Sequence, residues 1–333
     1  MDTVVRMRKS NPPHLLDKVR SQSKFVADSA KLVKIRYDKI ANYTDSLPFE
    51  LIDNPPLDSE VHLLNQGERT LLFFLALESI NFGSGYFPHL EKEDINSGYF
   101  TIASRLKQYF EAKGEVTATN LIQLTATDCA TIFLDVRQDD KNLKELMGWF
   151  ADSLNQLGRF VLERFKGDFL ALIKSVEHSA VQLVTLLTAI PSFRDFSIYR
   201  NQEIPILKRA QITVADLSLA FDNQGLGHFY DLEELTIFAD NMVPFVLQQD
   251  GILEYDEGLY NKINNQVFIP SGSEEEVEIR ACAIHAVELI KEQAIKNGIS
   301  CSSKDLDYLL WNRGLEQPYV HNSVKHLTKS MFY

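Results

Sequence analysis

The sequence predicts a mainly α-helical fold, and three observations support this prediction. Apolar residues recur with helical spacing through most of the chain. No regular series of alternating strands interrupts them. Several periodic segments also begin with capping residues and end at a glycine. We expect helices near residues 14–43, 66–80, 101–113, 142–165, 167–189, 205–221, 232–243, 275–297 and 303–313.

The clearest helix boundaries lie in the last quarter of the chain. Ser273 stands three residues before Glu276, the spacing of a capping box, and Gly298 follows the last periodic residue of that segment. Ser302 and Gly314 bound the next helix in the same way. These residues therefore predict structure before they predict any function.

The chain shows no division into independent domains. Its 333 residues contain no internal repeat and no Gly/Ser-rich linker. We therefore expect residues 1–333 to form a single α-rich unit, in which an arrangement of two lobes around a cleft is also open. Irregular structure is expected at 44–60, 81–100 and 191–204.

Composition and charge exclude some classes of function. The chain is 45% hydrophobic and 24% charged, as in ordinary soluble globular proteins. Its net charge of −12, from 34 basic and 46 acidic residues, argues against binding of duplex nucleic acid, which needs a basic surface. A small anionic ligand held by a few local Lys or Arg residues remains compatible.

Cysteine usage and apolar runs predict a cytoplasmic protein. The 3 cysteines lack the spacing of a metal site, which indicates a reducing compartment and no zinc or other metal. The segment Met1–Lys9 lacks the apolar centre of a signal peptide. The apolar runs at 71–77 and 181–190 are too short to span a bilayer, so no membrane contact is expected.

The most informative segment starts at a glycine turn and contains two aspartates. Gly225 and Gly227 lead to Asp231, which precedes an apolar series and has Glu234 three residues later. This pattern predicts a helix capped by Asp231, where the helix dipole keeps the carboxylate ionised. An ionised carboxylate suits an electrostatic stabiliser or a nucleophile. A purely structural cap explains the same pattern.

The second aspartate, Asp240, lies nine residues further on. In an unbroken helix its side chain would face away from that of Asp231. Pro244 should kink or end this helix and free the carbonyl of Asp240, because proline clashes with the carbonyl four residues before it. Asp240 is therefore either a recognition group that faces a cleft or an aspartate that faces solvent or pairs with an arginine.

Three other regions contain candidate binding residues, each with a structural alternative. Asn81 and Phe82 precede glycines that would let a ligand approach the backbone, or Phe82 is buried beside a glycine cap. Lys208 begins a helix, where a cation opposes the dipole unless an anion lies near it. His62 is a lone histidine, a ligand-binding or a packing residue. No Walker, dinucleotide, HExxH or nucleophile-elbow motif occurs, so no cofactor is expected.

Several blocks, in order along nearly the whole chain, resemble the queuosine salvage protein family, the queuosine 5′-phosphate N-glycosylases/hydrolases. Each block is short, and the ordered set is specific. The matching blocks are Glu60-Val61-His62, Ser79-Ile80-Asn81-Phe82, Lys208-Arg209-Ala210-Gln211-Ile212, Val214-Ala215-Asp216, Phe229-Tyr230-Asp231, Leu235-Thr236-Ile237-Phe238-Ala239-Asp240, Val243-Pro244, Glu276-Val277-Glu278-Ile279-Arg280 and Asp307-Tyr308-Leu309-Leu310-Trp311.

The resemblance implies a fold similar to the helix-hairpin-helix DNA glycosylases, with the catalytic segment at about 205–247. It implies that Asp231 is the catalytic carboxylate, a role compatible with capping a helix. It also implies a nucleotide pocket lined by His62, Asn81, Phe82, Lys208, Phe229 and Asp240.

The activity implied by the resemblance is hydrolysis of the N-glycosidic bond of queuosine 5′-monophosphate, which releases queuine and ribose 5-phosphate. An ionised aspartate would stabilise the positive charge that develops at the anomeric carbon. The base carries a secondary amine, and Asp240 would suit its cation. A DNA-repair-type glycosylase and a non-catalytic deazapurine-binding protein are the two alternatives.

Overall fold

The computed structural model describes residues 14–52, 57–90, 98–134, 140–319 and 324–333, so the segment Met1–Lys9 lies outside the described residues. The described residues form fourteen α-helices and four short strands, which confirms the mainly α prediction. The similarity to helix-hairpin-helix glycosylases, the single unit and the two-lobed arrangement stay predictions. The helices are α1 (Leu15–Ser29), α2 (Ile40–Ser46), α3 (Glu68–Ser79), α4 (Gly98–Lys113), α5 (Ala118–Gln123), α6 (Ala126–Phe133), α7 (Lys141–Phe165), α8 (Phe169–Lys174), α9 (Ala180–Leu187), α10 (Lys208–Ala220), α11 (Met242–Gln249), α12 (Glu257–Asn264), α13 (Glu274–Lys296) and α14 (Ser303–Arg313).

The four strands form two small antiparallel pairs. β1 (Val33–Ile35) pairs with β4 (Leu253–Tyr255), and β2 (Phe196–Tyr199) pairs with β3 (Gln202–Pro205). The prediction of one helix over 14–43 is therefore wrong, because α1 ends at Ser29 and the chain turns into β1. The backbone groups of that strand are satisfied by a strand more than 200 residues away, a partner that local sequence does not reveal.

Helices α3, α10 and α13 form the centre of the molecule. Helix α3 is buried from Thr70 to Ser79 on every face, and it packs on α10. Helix α13 packs against α1, α2, α11 and α14. The capping predictions for α13 and α14 are confirmed, because the Ser273 and Ser302 side chains accept hydrogen bonds from the third residue of each helix.

The predicted helix over 167–189 is two helices, α8 and α9. Between them Glu177 and His178 have positive φ angles of 48° and 62°, which a continuous helix does not allow. Ser179 then caps α9 by accepting a hydrogen bond from the backbone of Gln182. A local left-handed turn thus overrides the apolar periodicity of this segment.

The predicted helix over 232–243 is also wrong, and this segment lies in the region that the resemblance implied to be catalytic. Residues 232–234 form one 3₁₀ turn, and the chain is irregular until α11 begins at Met242. The Thr236 N–H donates to the Gln211 side chain at 2.8 Å, and the Phe238 N–H donates to Asp307 Oδ1 at 2.8 Å. These tertiary hydrogen bonds replace the bonds of a helix, and residues 235–239 are all buried.

Pro244 occupies the third position of α11 and ends no helix. The prediction that it kinks or ends a helix at Asp240 is therefore wrong. The first N–H groups of a helix have no partner within the helix, so proline fits there without losing a hydrogen bond.

Within the described residues, no helix has both the length and the apolar character that crossing a bilayer requires.

Candidate active site

A cavity of about 850 Å³ is lined by residues of α4, α10 and α14, by the segment after α3 and by the segment before α11. Its volume is in the range of small-molecule sites, about 300–1,000 Å³. Its walls combine apolar and aromatic side chains with a few ionisable groups. The polar and aromatic residues that line it include Asp58, His62, Asn81, Phe82, Tyr99, Phe100, Lys208, Asp216, Phe238, Asp240, Asp307, Tyr308, Trp311 and Lys325.

Five of the seven site residues predicted from sequence line this cavity, although they come from distant parts of the chain. They are His62, Asn81, Phe82, Lys208 and Asp240. The other two, Phe229 and Asp231, are not among the cavity-lining residues. Phe229 is a buried core residue.

Asp231 caps a helix, but a different helix from the predicted one. Its carboxylate accepts hydrogen bonds from Ser179 Oγ at 2.7 Å, from the Ala180 N–H at 2.5 Å and from the Val181 N–H at 3.5 Å. These donors belong to the start of α9, whereas no side-chain cap forms at the turn that follows Asp231 itself. Both carboxylate oxygens are thus engaged in holding two chain segments together.

Asp240 stands in the cavity beside a buried cation. Its Oδ1 accepts a hydrogen bond of 2.6 Å from the Met242 N–H at the start of α11. Lys208 Nζ donates to the Asn81 carbonyl at 3.0 Å. Burial lowers the pKa of Lys208, and the charges of Asp240 and Glu78 oppose that shift. A second anion lies at the start of α10, because the Lys208 backbone N–H donates to Asp195 Oδ2 at 3.3 Å. A nearby anion was one of the two explanations of Lys208 that the sequence left open.

The Phe82 ring in the cavity wall is held in place by side chains that pack on its other faces. The Arg209 guanidinium lies 4.7 Å from the centre of the Phe82 ring, and it donates to the backbone carbonyls of Ser79 and Ser192. Phe82 also packs edge-on against Phe150, with ring centres 5.2 Å apart. A ring held on several sides has one orientation, which suits the wall of a ligand site.

His62 belongs to the cavity wall as a neutral side chain. Burial lowers its pKa, and its ring nitrogens contact the Asp58 carbonyl and the Tyr99 hydroxyl, each at 3.0 Å. Since a carbonyl only accepts, Nδ1 carries the proton and Nε2 accepts from Tyr99. His62 therefore orients Tyr99 at the cavity surface.

Several cavity residues were not predicted from the sequence as site residues. Asp216 and Asp307 line the cavity, and Glu78 lies directly behind Asp216. Glu78 and Asp216 are carboxylates inside otherwise apolar helical runs, as in Val214-Ala215-Asp216-Leu217. That violation of the apolar pattern is the signal that could have identified them.

The described residues contain one group of side chains with the spacing of metal ligands. It consists of His14, Asp17 and Glu234, all partly buried, and none of them lines the cavity. His14 and Asp17 already form a capping box at the start of α1, and Arg20 pairs with Glu234 at 3.2 Å. The group is therefore accounted for by helix capping and ion pairing.

Asp307→Asn is expected to remove a pH dependence of stability. Burial, together with the neighbouring Asp240, raises the pKa of Asp307 to about 8. An unfolded aspartate ionises near pH 4, so the stability present below that pH is lost as pH rises towards 8. Relative to the variant, the wild-type free energy of unfolding should fall by a few kcal/mol, on the order expected for such a shift.

Urea unfolding between pH 5 and pH 8.5 measures this difference. Asp38→Asn is the matched control, because Asp38 is exposed and its hydrogen bond with Arg36 lowers its pKa. Its stability should run parallel to that of the wild type over this range. Parallel curves for Asp307→Asn and the wild type would contradict the prediction.

Comparison with known proteins gives one consistent result. The profile of the family described as queuosine salvage protein matches residues 61–333. The chain is 35% identical to the queuosine 5′-phosphate N-glycosylase/hydrolase of Sphaerobacter thermophilus, over 95% of this chain and 97% of that protein. Proteins with the same name from Dictyostelium discoideum and Mus musculus are 34% and 27% identical, over 80% and 94% of this chain and 79% and 98% of their own lengths.

Proposed function

Because the chain belongs to the queuosine salvage protein family, we propose that it hydrolyses the N-glycosidic bond of queuosine 5′-monophosphate. Water and the nucleotide are consumed, and queuine and ribose 5-phosphate are released. The observation that carries the proposal is the cavity of about 850 Å³, in which Asp240 stands beside Lys208 among aromatic walls. The aromatic walls suit the base of a nucleotide, Asp240 suits its sugar, and Lys208 suits its phosphate.

Asp240 is the catalytic carboxylate in this proposal. Cleavage of the glycosidic bond leaves positive charge at the anomeric carbon, and a fixed carboxylate beside it stabilises that charge. Asp240 lines the cavity, and its orientation is set by the Met242 N–H. Asp231 remains the alternative, but its oxygens are engaged by residues 179–181, outside the cavity-lining set.

The reaction also needs a proton for the leaving base and a water molecule for the sugar. The electron pair of the broken bond goes to the base nitrogen, and protonation of the base makes it a neutral leaving group. Water then bonds to the anomeric carbon and gives its proton to Asp240, and passage of that proton to the neighbouring Asp307 restores both carboxyl groups. Asp307 supplies that proton, because burial raises its pKa to about 8 and it lines the same cavity as Asp240. Two neighbouring carboxyl groups in different protonation states are the usual arrangement for such a reaction.

The test is incubation of the purified protein with queuosine 5′-monophosphate, with detection of free queuine by mass spectrometry. Release of queuine, undiminished by an excess of duplex oligonucleotide, is the expected result. Binding of queuine without any turnover would favour a non-catalytic binding protein. Competition by the oligonucleotide would favour a DNA-repair-type glycosylase.

Lys208→Ala is expected to weaken binding of the 5′-phosphorylated substrate far more than binding of the nucleoside. Lys208 is a buried cation at the cavity wall, and a charge-assisted contact to phosphate contributes about 1.5–3 kcal/mol. Binding of both compounds can be compared by calorimetry in the catalytically slowed Asp240→Asn background. Lys325→Ala is the matched variant, because Lys325 also lines the cavity. An equal loss for nucleotide and nucleoside in Lys208→Ala would contradict the assignment and leave Lys208 as a support for Asp240.

A further inference from the structure

Two carboxyl groups from different helices are buried together at the wall of the cavity. Glu78 on α3 is fully buried, and Asp216 on α10 is 5% exposed. Their side chains lie close enough for the two carboxyl groups to share a proton. Asp216 lines the cavity, whereas Glu78 does not belong to the lining and stands behind it. The proposed reaction uses neither group.

The contact between these two groups requires a proton. Two ionised carboxylates are both acceptors, so a hydrogen bond between them needs one protonated partner. Glu78 Oε2 accepts from Asn81 Nδ2 at 2.7 Å, but no N–H or hydroxyl of the described chain reaches the buried Oε1. A carboxylic acid at Asp216 supplies the donor that Glu78 otherwise lacks.

The surroundings place the proton on Asp216 and the negative charge on Glu78. Burial raises the pKa of Asp216 well above its ordinary value, and the charge of Glu78 adds to the effect. Burial also raises the pKa of Glu78, but Lys208, Asn81 and Arg209 oppose this shift. Glu78 is therefore the better anion of the two, with Lys208 as its counter-charge.

The cavity wall around Asp216 is mainly apolar and aromatic. Ile212, Asp216 and Leu219 stand on one face of α10, and all three line the cavity. Tyr308 adds an aromatic ring at this position, and its hydroxyl donates to Asp216 Oδ1 at 3.3 Å. An apolar and aromatic wall with one carboxyl group is suited to a heterocyclic base.

We propose that Asp216 is a specificity-determining residue that contacts the base as a neutral carboxylic acid, with its proton held by Glu78. The proposal rests on the proposed function. The acid O–H is directed to Glu78, so the remaining acceptor capacity of Asp216 faces the cavity and accepts from an N–H of the base. The ligand class is a base with the 2-amino-4-oxopyrimidine edge of guanine, whose exocyclic amine and ring N–H are adjacent donors. Glu78 is the positioning residue, because it acts on the base only through Asp216.

The test compares two substitutions of Asp216 by calorimetry, with queuine and its analogue that lacks the exocyclic amino group as the probes. Asparagine is the neutral isostere of the protonated acid, since its amide N–H donates to Glu78 and its carbonyl faces the cavity. Asp216→Asn should therefore keep the preference for queuine within a few-fold. Asp216→Leu has no acceptor and should lower that preference on the order of 10–100-fold, as expected when an N–H loses its partner.

Infrared spectroscopy provides a second readout that a purely structural role would not change. The carbonyl stretch of a protonated carboxyl group should be present in the wild type at pH 7 and diminished in Asp216→Asn. Glu78→Gln removes the anion that holds the proton and should shift the same band. This measurement decides the question if Asp216→Leu does not fold.

Three results would overturn the proposal. Loss of the preference in Asp216→Asn to the same degree as in Asp216→Leu would mean that Asp216 acts as an ionised acceptor. An unchanged preference in a folded Asp216→Leu protein would remove the residue from base recognition, while release of queuine by the wild type would leave the proposed function intact. Failure of the wild type both to bind queuine and to release it would overturn the proposed function and this inference together.

Discussion

Asp240→Asn is expected to slow release of queuine from queuosine 5′-monophosphate by about 10²–10³-fold while the protein stays folded. The amide keeps the size of the side chain, and its oxygen still accepts the Met242 N–H that holds Asp240 at 2.6 Å. What is lost is the negative charge that opposes the developing charge on the sugar. Loss of one preorganised electrostatic contact costs about 2.7–4 kcal/mol, which corresponds to a rate loss of about 10²–10³-fold.

The matched variant is Asp231→Asn, because the sequence predicted that residue as the catalytic carboxylate. The asparagine oxygen can still accept from the Ala180 N–H, and its NH₂ group can donate to the Ser179 hydroxyl, so the start of α9 should remain intact and turnover should persist. Single-turnover formation of queuine, quenched with acid and followed by mass spectrometry, compares the two variants without interference from product release. An active Asp240→Asn protein together with an inactive Asp231→Asn protein would restore Asp231 as the catalytic group.

The elements that the sequence predicted well are helices with local signals at both ends. Helix α14 has a capping box at Ser302 and ends at Gly314, and its predicted and observed bounds coincide at 303–313. The segment 232–243 has equally good apolar periodicity, yet it is not a helix. Its N–H groups donate to Gln211 and Asp307, and these partners come from α10 and α14. Long-range side-chain contacts of this kind are absent from any local pattern.

The site could be predicted in part for a similar reason. His62, Lys208 and Asp240 were candidates from their local sequence, the family resemblance implied that they share a pocket, and the structure brings them to one cavity. The Glu78–Asp216 pair was not identified, since each residue lies in a separate apolar helix and its meaning depends on the other. A residue whose protonation depends on a tertiary neighbour cannot be interpreted from its own helix alone.

The network around Arg280 connects the two sides of the candidate catalytic centre. Arg280 is 1% exposed, and its guanidinium donates to Asp195 at 2.7 and 3.1 Å and to Glu276 at 2.9 Å. Burial alone lowers the pKa of Arg280, but Asp195 and Glu276 together raise it above its ordinary value. Arg280 Nε also donates to the Ala239 carbonyl at 2.8 Å, directly before Asp240.

Arg280→Leu is therefore expected to lower the free energy of unfolding by about 3–5 kcal/mol, because it leaves two buried carboxylates without their counter-charge. Urea unfolding measures the loss, and a change below about 1 kcal/mol would show that the buried pairs contribute little.

Arg280→Lys is the matched variant, since it keeps the charge but cannot donate to both carboxylates and to Ala239 at once. Asp195 also accepts from the Lys208 N–H, so the network fixes Lys208 as well as Asp240. In a folded Arg280→Lys protein we accordingly expect kcat to fall more than KM rises, whereas equal effects on both would assign the network to stability alone.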